Sequence, residues 1–494
     1  MPVRERTRID KLRWVAVQGL ILTGGFGFAQ LLGFARNAML GHLLAKSDFG
    51  VAAAITITLQ IFEMISDTAA DRMIVQAKDG DDPKLLACAH TIFLMRALML
   101  AALVLWSAPY AAELFLVPEA VDGFRVLALV PLIKGLVHLD WRRAQRRLDN
   151  RAAVLIETVA QAAALALTWP AVWLTTGYEA VLWIAAIQGV FMVGASHCLA
   201  ESRYRLSFDG AILWRFVAFG WPILLGAIPV LAVFQGDRII VARFLGLDAF
   251  AGYTAAFLLA MVPVTLAIKI GHSLMLPLLA QTRDKGTSRH ARFSLMCEMT
   301  ALMAAVYLAL FATLGGEAVL IAFGPNFAGT EMITAAIALM WAVRMAQMPA
   351  QALFLAEGDT RPLLVAGLIR CSGLALALAV AFHGADLLLI ALSGTAGELL
   401  SLIYLAGRAG RIAPGLGGIL ISRSSFLLLA AAITLPMWPR QALGLSVLQS
   451  AGFAALMLLF VAAAAAFLMP STRGELKALA GHWRERADAL PGPV

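Results

Sequence analysis

The chain has 494 residues, of which 61% are apolar and 14% charged, with a net charge of +8 and a mean hydropathy of +0.82. Soluble globular domains are about 45–50% apolar and about 25% charged, and disordered chains are more polar still, so both classes are excluded. One membrane-spanning helix needs about 20 apolar residues, and this composition therefore predicts an all-α integral membrane protein with many spans. The four cysteines are scattered without a CxxC pair, which indicates small core residues rather than disulfides or metal ligands.

Breaks at charged, proline and glycine residues divide the chain into about 14 candidate transmembrane helices. In chain order they lie near 14–35, 49–70, 86–107, 121–140, 152–174, 180–200, 213–235, 250–278, 292–314, 328–354, 363–383, 386–406, 417–437 and 446–469. The connecting loops are short, so the sequence predicts no sizeable domain on either side of the membrane.

The basic residues predict the orientation. With a cytoplasmic amino terminus, most Lys and Arg fall in cytoplasmic segments, as the positive-inside rule requires, and both termini are then cytoplasmic. Two basic groups are the main anchors: Arg142, Arg143, Arg146, Arg147 and Arg151, and then Arg283, Lys285, Arg289 and Arg292. Because these groups alternate with apolar spans, they indicate topology rather than nucleic-acid binding.

An internal repeat relates two parts of the chain at a shift of 202 residues. It pairs Arg13 with Arg215, Gly24 with Gly226, Arg36 with Arg238 and Gly50 with Gly252. Six spans separate the copies, so both copies have the same orientation, as in transporters built from parallel repeats. The repeat predicts a six-helix lobe at 1–210, a second at 211–410, two additional transmembrane helices at 411–470 and a cytoplasmic amphipathic tail at 471–494.

Charged residues inside predicted spans are candidate functional groups, because a charge at mid-bilayer costs about 2.5–3.5 kcal/mol on insertion scales. Cations that would suit an anionic substrate in a cavity are Lys134, Arg344, Arg370, Arg96 and Lys269. Acidic residues that would carry a proton or bind sodium are Glu63, Asp67, Glu157 and Glu398. The sequence indicates no ion-pair partner for three of the cations, Lys134, Arg344 and Arg370.

Some of these charges have an equally plausible structural role. The repeat maps Asp67 onto Lys269 and Arg96 onto Glu298, which predicts structural ion pairs Asp67–Arg96 and Lys269–Glu298 as the alternative to a substrate role. The repeat arginines Arg36 and Arg238 are expected at the outer ends of their spans. There they would extend to the membrane interface or pair with Asp48 and Asp237, with substrate contact as the alternative.

Motifs of soluble chemistry are missing from the sequence. It has no GxxxxGK[ST] phosphate loop, no HExxH and no paired CxxC, so no cofactor and no metal site are predicted. These absences weaken an enzymatic function, although an intramembrane enzyme that uses Glu or His would escape such a search.

Two regions resemble a known family. Residues 36–50, RNAMLGHLLAKSDFG, and 63–76, EMISDTAADRMIVQ, resemble the amino-terminal region of polysaccharide (O-antigen type) flippases of the MATE/oligosaccharidyl-lipid/polysaccharide exporter superfamily. Residues 219–253, with the pattern GDR…RFLG…GxY, resemble the start of the second lobe of that family. These motifs are also compatible with lipid II flippases and with multidrug extruders of the MATE type.

The resemblance implies two six-helix lobes around a central cavity. It also implies ion-driven translocation of an undecaprenyl-pyrophosphate-linked oligosaccharide across the bacterial inner membrane for cell-surface polysaccharide biosynthesis. The expected partners are membrane lipid and the lipid-linked glycan, with glycan-assembly proteins as further candidates and no nucleic acid. The alternatives are a multidrug or small-molecule antiporter and, from a different class, a membrane-embedded polysaccharide polymerase or ligase.

Overall fold

The computed structural model describes residues 8–147, 149–175, 177–282, 286–384, 386–434 and 446–468, and these residues form helices and connecting turns with no strand. The predicted amphipathic tail at 471–494 lies outside the described residues, as do the basic residues Arg283 and Lys285. The all-helical fold that the composition predicts is confirmed.

The described residues of the first half of the chain include ten α-helices. They are α1 (Arg8–Leu43), α2 (Lys46–Ile65), α3 (Ala70–Gln76), α4 (Pro83–Leu114), α5 (Val121–Val126), α6 (Leu129–Lys134), α7 (Asp140–Arg146), α8 (Arg151–Ala166), α9 (Thr168–Thr175) and α10 (Glu179–Cys198).

The second half begins with two long helices and ends, within the described residues, at Leu468. Its helices are α11 (Gly210–Leu245), α12 (Leu247–Ala280), α13 (Gly286–Phe323), α14 (Glu331–Ala346), α15 (Met348–Glu357), α16 (Arg361–Phe382), α17 (Leu387–Ile412), α18 (Leu416–Ser424), α19 (Phe426–Thr434) and α20 (Val447–Leu468).

Within the described residues, ten helical segments are long and apolar enough to cross a membrane, and an eleventh is counted if α8 and α9, bent by 41°, form one span. The helices α1 and α11 cover the predicted spans near 14–35 and 213–235. The predicted span near 121–140 is instead divided into the short helices α5 and α6. The total of 14 stays a prediction.

The helix bounds extend the internal repeat. The last residues of α1 and α11, Leu43 and Leu245, differ by the 202 positions of the sequence match. The fourth span is broken in both halves, between α6 and α7 and again between α14 and α15. After the fourth span the offset between the two halves is larger than 202 residues, as the starts of α8 at Arg151 and α16 at Arg361 show. The offset increases because α13 is longer than α4.

By its internal contacts the chain divides into two compact units, residues 1–255 with 321–327 and residues 256–320 with 328–494. The first unit includes α11, which the sequence repeat places at the start of the second lobe. It does so because α11 packs on α2, α3 and α4. Arg215 of α11 also donates two hydrogen bonds of 2.6 Å to Asp79 in the α3–α4 loop, and these bonds lower the pKa of Asp79 to about 2.

The outer surface of the first unit carries large aromatic side chains. Trp106 of α4 is 68% exposed and Trp173 of α9 is 70% exposed, and both have exposed aromatic neighbours in Tyr110 and Trp169. Tryptophan and tyrosine are enriched where membrane helices meet the lipid–water interface. With the long apolar helices, this surface is that of a multi-pass membrane protein.

The helices α16 and α17 pack closely through glycine, and this contact gives a test of the fold. A Cβ added at Gly397 of α17 would lie 2.5 Å from the backbone oxygen of Arg370, and a backbone atom cannot move aside cheaply. We expect Gly397→Ala to destabilise the protein by about 1–3 kcal/mol, seen as a lower apparent Tm in detergent. Gly407→Ala on the same helix is the control, because nothing lies within 4 Å of that Cβ position. Equal Tm values for the two variants would contradict the packing.

Candidate functional site

The first unit encloses a polar cavity of about 320 Å³. Six charged side chains line it, three of each sign: Arg96, Lys134, Arg142, Glu63, Asp71 and Glu157. The remaining wall combines polar Gln188 with apolar side chains such as Phe93 and Met192. Because the chain is only 14% charged, this concentration of charge inside one helical unit is the strongest candidate site.

The ends of two helices bring Lys134 and Glu63 together. Glu63 lies in the last turn of α2, and Lys134 is the last residue of α6. The Lys134 Nζ lies 2.8 Å from Glu63 Oε1, and the two side chains are 32% and 31% exposed. This ion pair therefore faces the cavity rather than the closed interior.

Arg96 supports the same wall from the middle of α4. Its Nη2 donates a 2.7 Å hydrogen bond to the backbone oxygen of Glu63, and its Nε donates a 3.0 Å bond to Ser66 Oγ. A cation at this position satisfies carbonyl groups that a helix C-terminus leaves without partners. Arg96 thus fixes the end of α2 and the backbone that carries Glu63.

A third cation comes from the short basic helix α7. Arg142 forms an ion pair with Asp71 of α3, and its guanidinium lies 3.8 Å from the ring centre of Trp141. Among the described residues, the buried Nε of Arg142 and Nε1 of Trp141 have no hydrogen-bond partner. From the sequence, Arg142 is predicted to act in topology alone, because a run of arginines beside a span is the usual positive-inside signal.

A second cavity of about 340 Å³ adjoins the first and shares Glu63, Asp71, Phe93 and Arg96 with it. It adds Asp67 of the α2–α3 connection and Gln235 of α11, whose Nε2 donates a 2.8 Å hydrogen bond to Gln60 Oε1. Carboxylates outnumber cations on this wall, so the two cavities differ in charge.

The predicted pair Asp67–Arg96 is wrong. Asp67 pairs instead with Arg72 at 2.7 Å and accepts a hydrogen bond from the backbone of Ala69. The reason is local, since α2 ends at Ile65 and Ala69 adopts a left-handed conformation with φ of 50°, so the chain turns before Asp67 can face α4. Arg96 is left to bind the end of α2.

The predicted pairing of Arg36 with Asp48 is also wrong. Arg36 Nη1 donates a 2.7 Å hydrogen bond to Oε1 of Gln188, a residue of the cavity wall. Helix α1 packs along α8, which directs Arg36 toward the interior of the unit instead of the interface. Its repeat counterpart Arg238 is buried, and its Nη2 donates to the backbone oxygen of Phe234, while Asp237 accepts a 2.6 Å hydrogen bond from the Tyr253 hydroxyl.

The second unit contains a closed network around one carboxylate. Glu398 of α17 accepts from Arg344 of α14 on Oε1, with an Nε distance of 2.7 Å. On Oε2 it accepts from Gln347 at 2.8 Å and from Arg370 of α16 at 3.0 Å. The Gln347 Oε1 in turn accepts from Arg370 and from Ser401, so the amide closes the network.

This network is deeply buried. The side chains of Arg344 and Glu398 are 6% and 2% exposed, and the Arg344 guanidinium lies 4.7 Å from the ring centre of Trp341. The expectation that Lys134, Arg344 and Arg370 lack partners is therefore wrong. Lys134 forms an ion pair with Glu63, and both arginines form ion pairs with Glu398. The sequence signal that was missed is Gln347, an uncharged polar residue in an apolar segment, at the break between α14 and α15.

The remaining candidates lie elsewhere. Glu298 of α13 is buried and has Arg423 of α18 at 3.2 Å, which joins the first of the additional C-terminal helices to the second unit. Lys269 lies on an exposed face of α12. Of the predicted site residues, Lys134, Arg96, Glu63 and Glu157 line one cavity, with Asp67 in the adjoining cavity.

Sequence comparison finds relatives in polysaccharide assembly. A family model described as a polysaccharide biosynthesis protein matches residues 39–332. The chain is 25% identical over 328 residues to the succinoglycan biosynthesis transport protein ExoT of Rhizobium meliloti (strain 1021), covering 64% of this chain and 63% of that relative's length. It is 21% identical over 364 residues to the teichuronic acid biosynthesis protein TuaB of Bacillus subtilis (strain 168), covering 72% and 73%.

Two kinds of solved structure share the fold. The lipid II flippase MurJ in an inward closed conformation has a TM-score of 0.70 at 13% identity, covering 90% of this chain and 99% of that one. An inward-facing multidrug resistance MATE family transporter has a TM-score of 0.65 at 13% identity, covering 78% and 94%. At this identity the likeness concerns the fold alone.

The two carboxylates should differ sharply in their effect on stability. Glu398→Gln leaves two buried guanidinium groups without a counter-charge, and breaking a buried ion pair in this way costs about 3–5 kcal/mol. Glu63→Gln affects a pair that is about one-third exposed, and such pairs contribute about 0–1 kcal/mol. We expect a large drop in apparent Tm for the first variant in detergent and a small change for the second. Similar drops would contradict the distinction between a closed network and an open pair.

Proposed function

The chain belongs to the family of polysaccharide biosynthesis proteins, and we propose that it translocates a lipid-linked oligosaccharide, carried on undecaprenyl pyrophosphate, across the bacterial inner membrane. Such a step supplies cell-surface polysaccharide biosynthesis. The transport and flippase names of the similar proteins support the proposal, as does the fold shared with MurJ. In this proposal both termini are cytoplasmic, in line with the distribution of Lys and Arg.

The observation that carries the proposal is the cavity with Lys134, Arg96 and Arg142 on its wall. A pyrophosphate group presents several oxygen acceptors and negative charge, which ammonium and guanidinium groups bind through charge-assisted hydrogen bonds. Small-molecule pockets are about 300–1,000 Å³, so a cavity of about 320 Å³ fits the charged headgroup and not a whole oligosaccharide. The sugar chain would then extend beyond the cavity.

An ion gradient is the proposed energy source, because the sequence lacks a phosphate loop for ATP. Among the predicted coupling residues, Glu63, Glu157 and Asp67 lie on cavity walls where a proton or sodium ion can reach them. Glu398 is already engaged by three donor side chains, so we assign it to the architecture of the second unit.

A second candidate is transport of small organic cations. The carboxylates of the two cavities and the fold shared with a MATE transporter favour it. Uptake of a cationic dye into inverted membrane vesicles separates the candidates, since a lipid-linked glycan flippase should not move the dye.

The test of the proposed function is glycan export in a strain that lacks the gene and carries a variant copy. Lys134→Met removes one charged contact to the headgroup, and such contacts contribute about 1.5–3 kcal/mol, so we expect export to fall about tenfold or more. Lipid-linked glycan should accumulate in the cytoplasmic leaflet while protein levels stay unchanged. Arg125→Met is the matched control, because Arg125 is exposed and, within the part of the chain that the structure describes, forms an ion pair with Asp122 alone.

Normal export in the Lys134→Met strain would contradict the assignment of the cavity. Chemical conversion of a lipid-linked glycan by the purified protein would contradict the transport function itself and indicate a polymerase or ligase.

A further inference from the structure

The pair Lys134–Glu63 places a carboxylate where the proposed substrate needs a free cation. We propose that Glu63 is an internal placeholder for the phosphate group of the substrate. The incoming anion displaces the Glu63 carboxylate from Lys134, and the displaced carboxylate takes up a proton from water. This inference rests on the proposed function and names the group whose protonation is linked to substrate binding.

The contacts of Glu63 make it exchangeable. Its carboxylate has one hydrogen-bond donor among the described residues, Lys134 at 2.8 Å, and both side chains are about one-third exposed toward the cavity. Glu398, by contrast, is held by Arg344, Arg370 and Gln347 and is 2% exposed. A phosphate that replaces Glu63 as the ion-pair partner of Lys134 keeps this cation paired, so the exchange leaves no buried positive charge without a counter-charge.

The cavity offers further donors to an anion. The guanidinium groups of Arg96 and Arg142 also line the cavity. Both groups are hydrogen-bond donors that cannot accept. A ligand that brings acceptor oxygens suits them, whereas the cationic ligand of the alternative function does not.

Displacement leaves the Glu63 carboxylate without its cation. The ionisable groups around the two cavities are Asp67 on the α2–α3 connection, Asp71 on α3, Arg96 on α4, Lys134 on α6, Arg142 on α7 and Glu157 on α8. Arg96 is bound to the end of α2, Arg142 is paired with Asp71, and Lys134 would be taken by the phosphate. Without a cation and next to added negative charge, a partly buried carboxylate favours its neutral form, so proton uptake accompanies binding.

The experiment is calorimetric titration of the purified full-length protein with farnesyl pyrophosphate, a short polyprenyl pyrophosphate, between pH 7.5 and 8.5 in two buffers of different ionisation enthalpy. For the wild type we expect uptake of about one proton per ligand and an affinity that falls about tenfold per pH unit. For Glu63→Gln we expect no linked proton, and binding at pH 8.5 at least tenfold tighter than for the wild type. The Glu63→Gln titration also accounts for any protonation of the ligand itself.

Two further variants fix the interpretation. Asp122→Asn changes a carboxylate that is 88% exposed and lies outside both cavities, and it should retain the proton uptake, while Lys134→Met should lose the ligand. Wild-type binding without proton uptake, weaker binding by Glu63→Gln, or no binding by the wild type would each overturn the inference. If Glu63-dependent proton uptake is present but cells without the protein still export glycan, the proposed function fails and the anion site stands.

Discussion

A charge inside an apolar helical protein needs a partner, and this requirement governs both units. The solvation that water would supply is missing, so other side chains must replace it. In the second unit Glu398 meets the requirement completely, with Arg344, Arg370 and Gln347 around one carboxylate. In the first unit Lys134 and Glu63 meet it through a single contact that faces a cavity. The network around Glu398 joins three helices, and the pair Lys134–Glu63 is the one that we propose to exchange for a ligand.

The repeat makes this contrast informative. Lys134 and Arg344 end the corresponding segments of the two halves, just before the break in the fourth span. The carboxylate that pairs with Lys134 lies on α2, whereas the carboxylate that pairs with Arg344 lies on α17. Corresponding positions of the two halves thus form one exposed and one buried ion pair, depending on which neighbouring helix supplies the acid. The first unit is left with an accessible cation, as binding of an anionic headgroup requires.

Composition and hydropathy were sufficient to predict the helical membrane fold. The repeat predicted corresponding helices in the two halves, and in the structure this correspondence continues well beyond the matched residues. Partner choice was not predictable, because it depends on where a helix ends. Asp67 misses Arg96 since α2 stops at Ile65, and Arg36 reaches Gln188 since α1 packs along α8. Arg142 was not predicted as a cavity residue because it lies within a run of basic residues. Gln347 was not predicted because it is uncharged. Sequence thus identified the charged residues of the cavity more readily than their contacts.

Photocrosslinking in living cells tests most directly whether the cavity of the first unit holds the lipid-linked glycan. A diazirine amino acid replaces Met192, which lines the cavity, or Val190, which lies two residues earlier on the same helix and is 55% exposed. Binding of the glycan in this cavity predicts a crosslinked lipid-linked glycan at Met192, lost when Lys134→Met is added, and a background level at Val190. Equal crosslinking at the two positions, or crosslinking at Met192 that does not depend on Lys134, would contradict it.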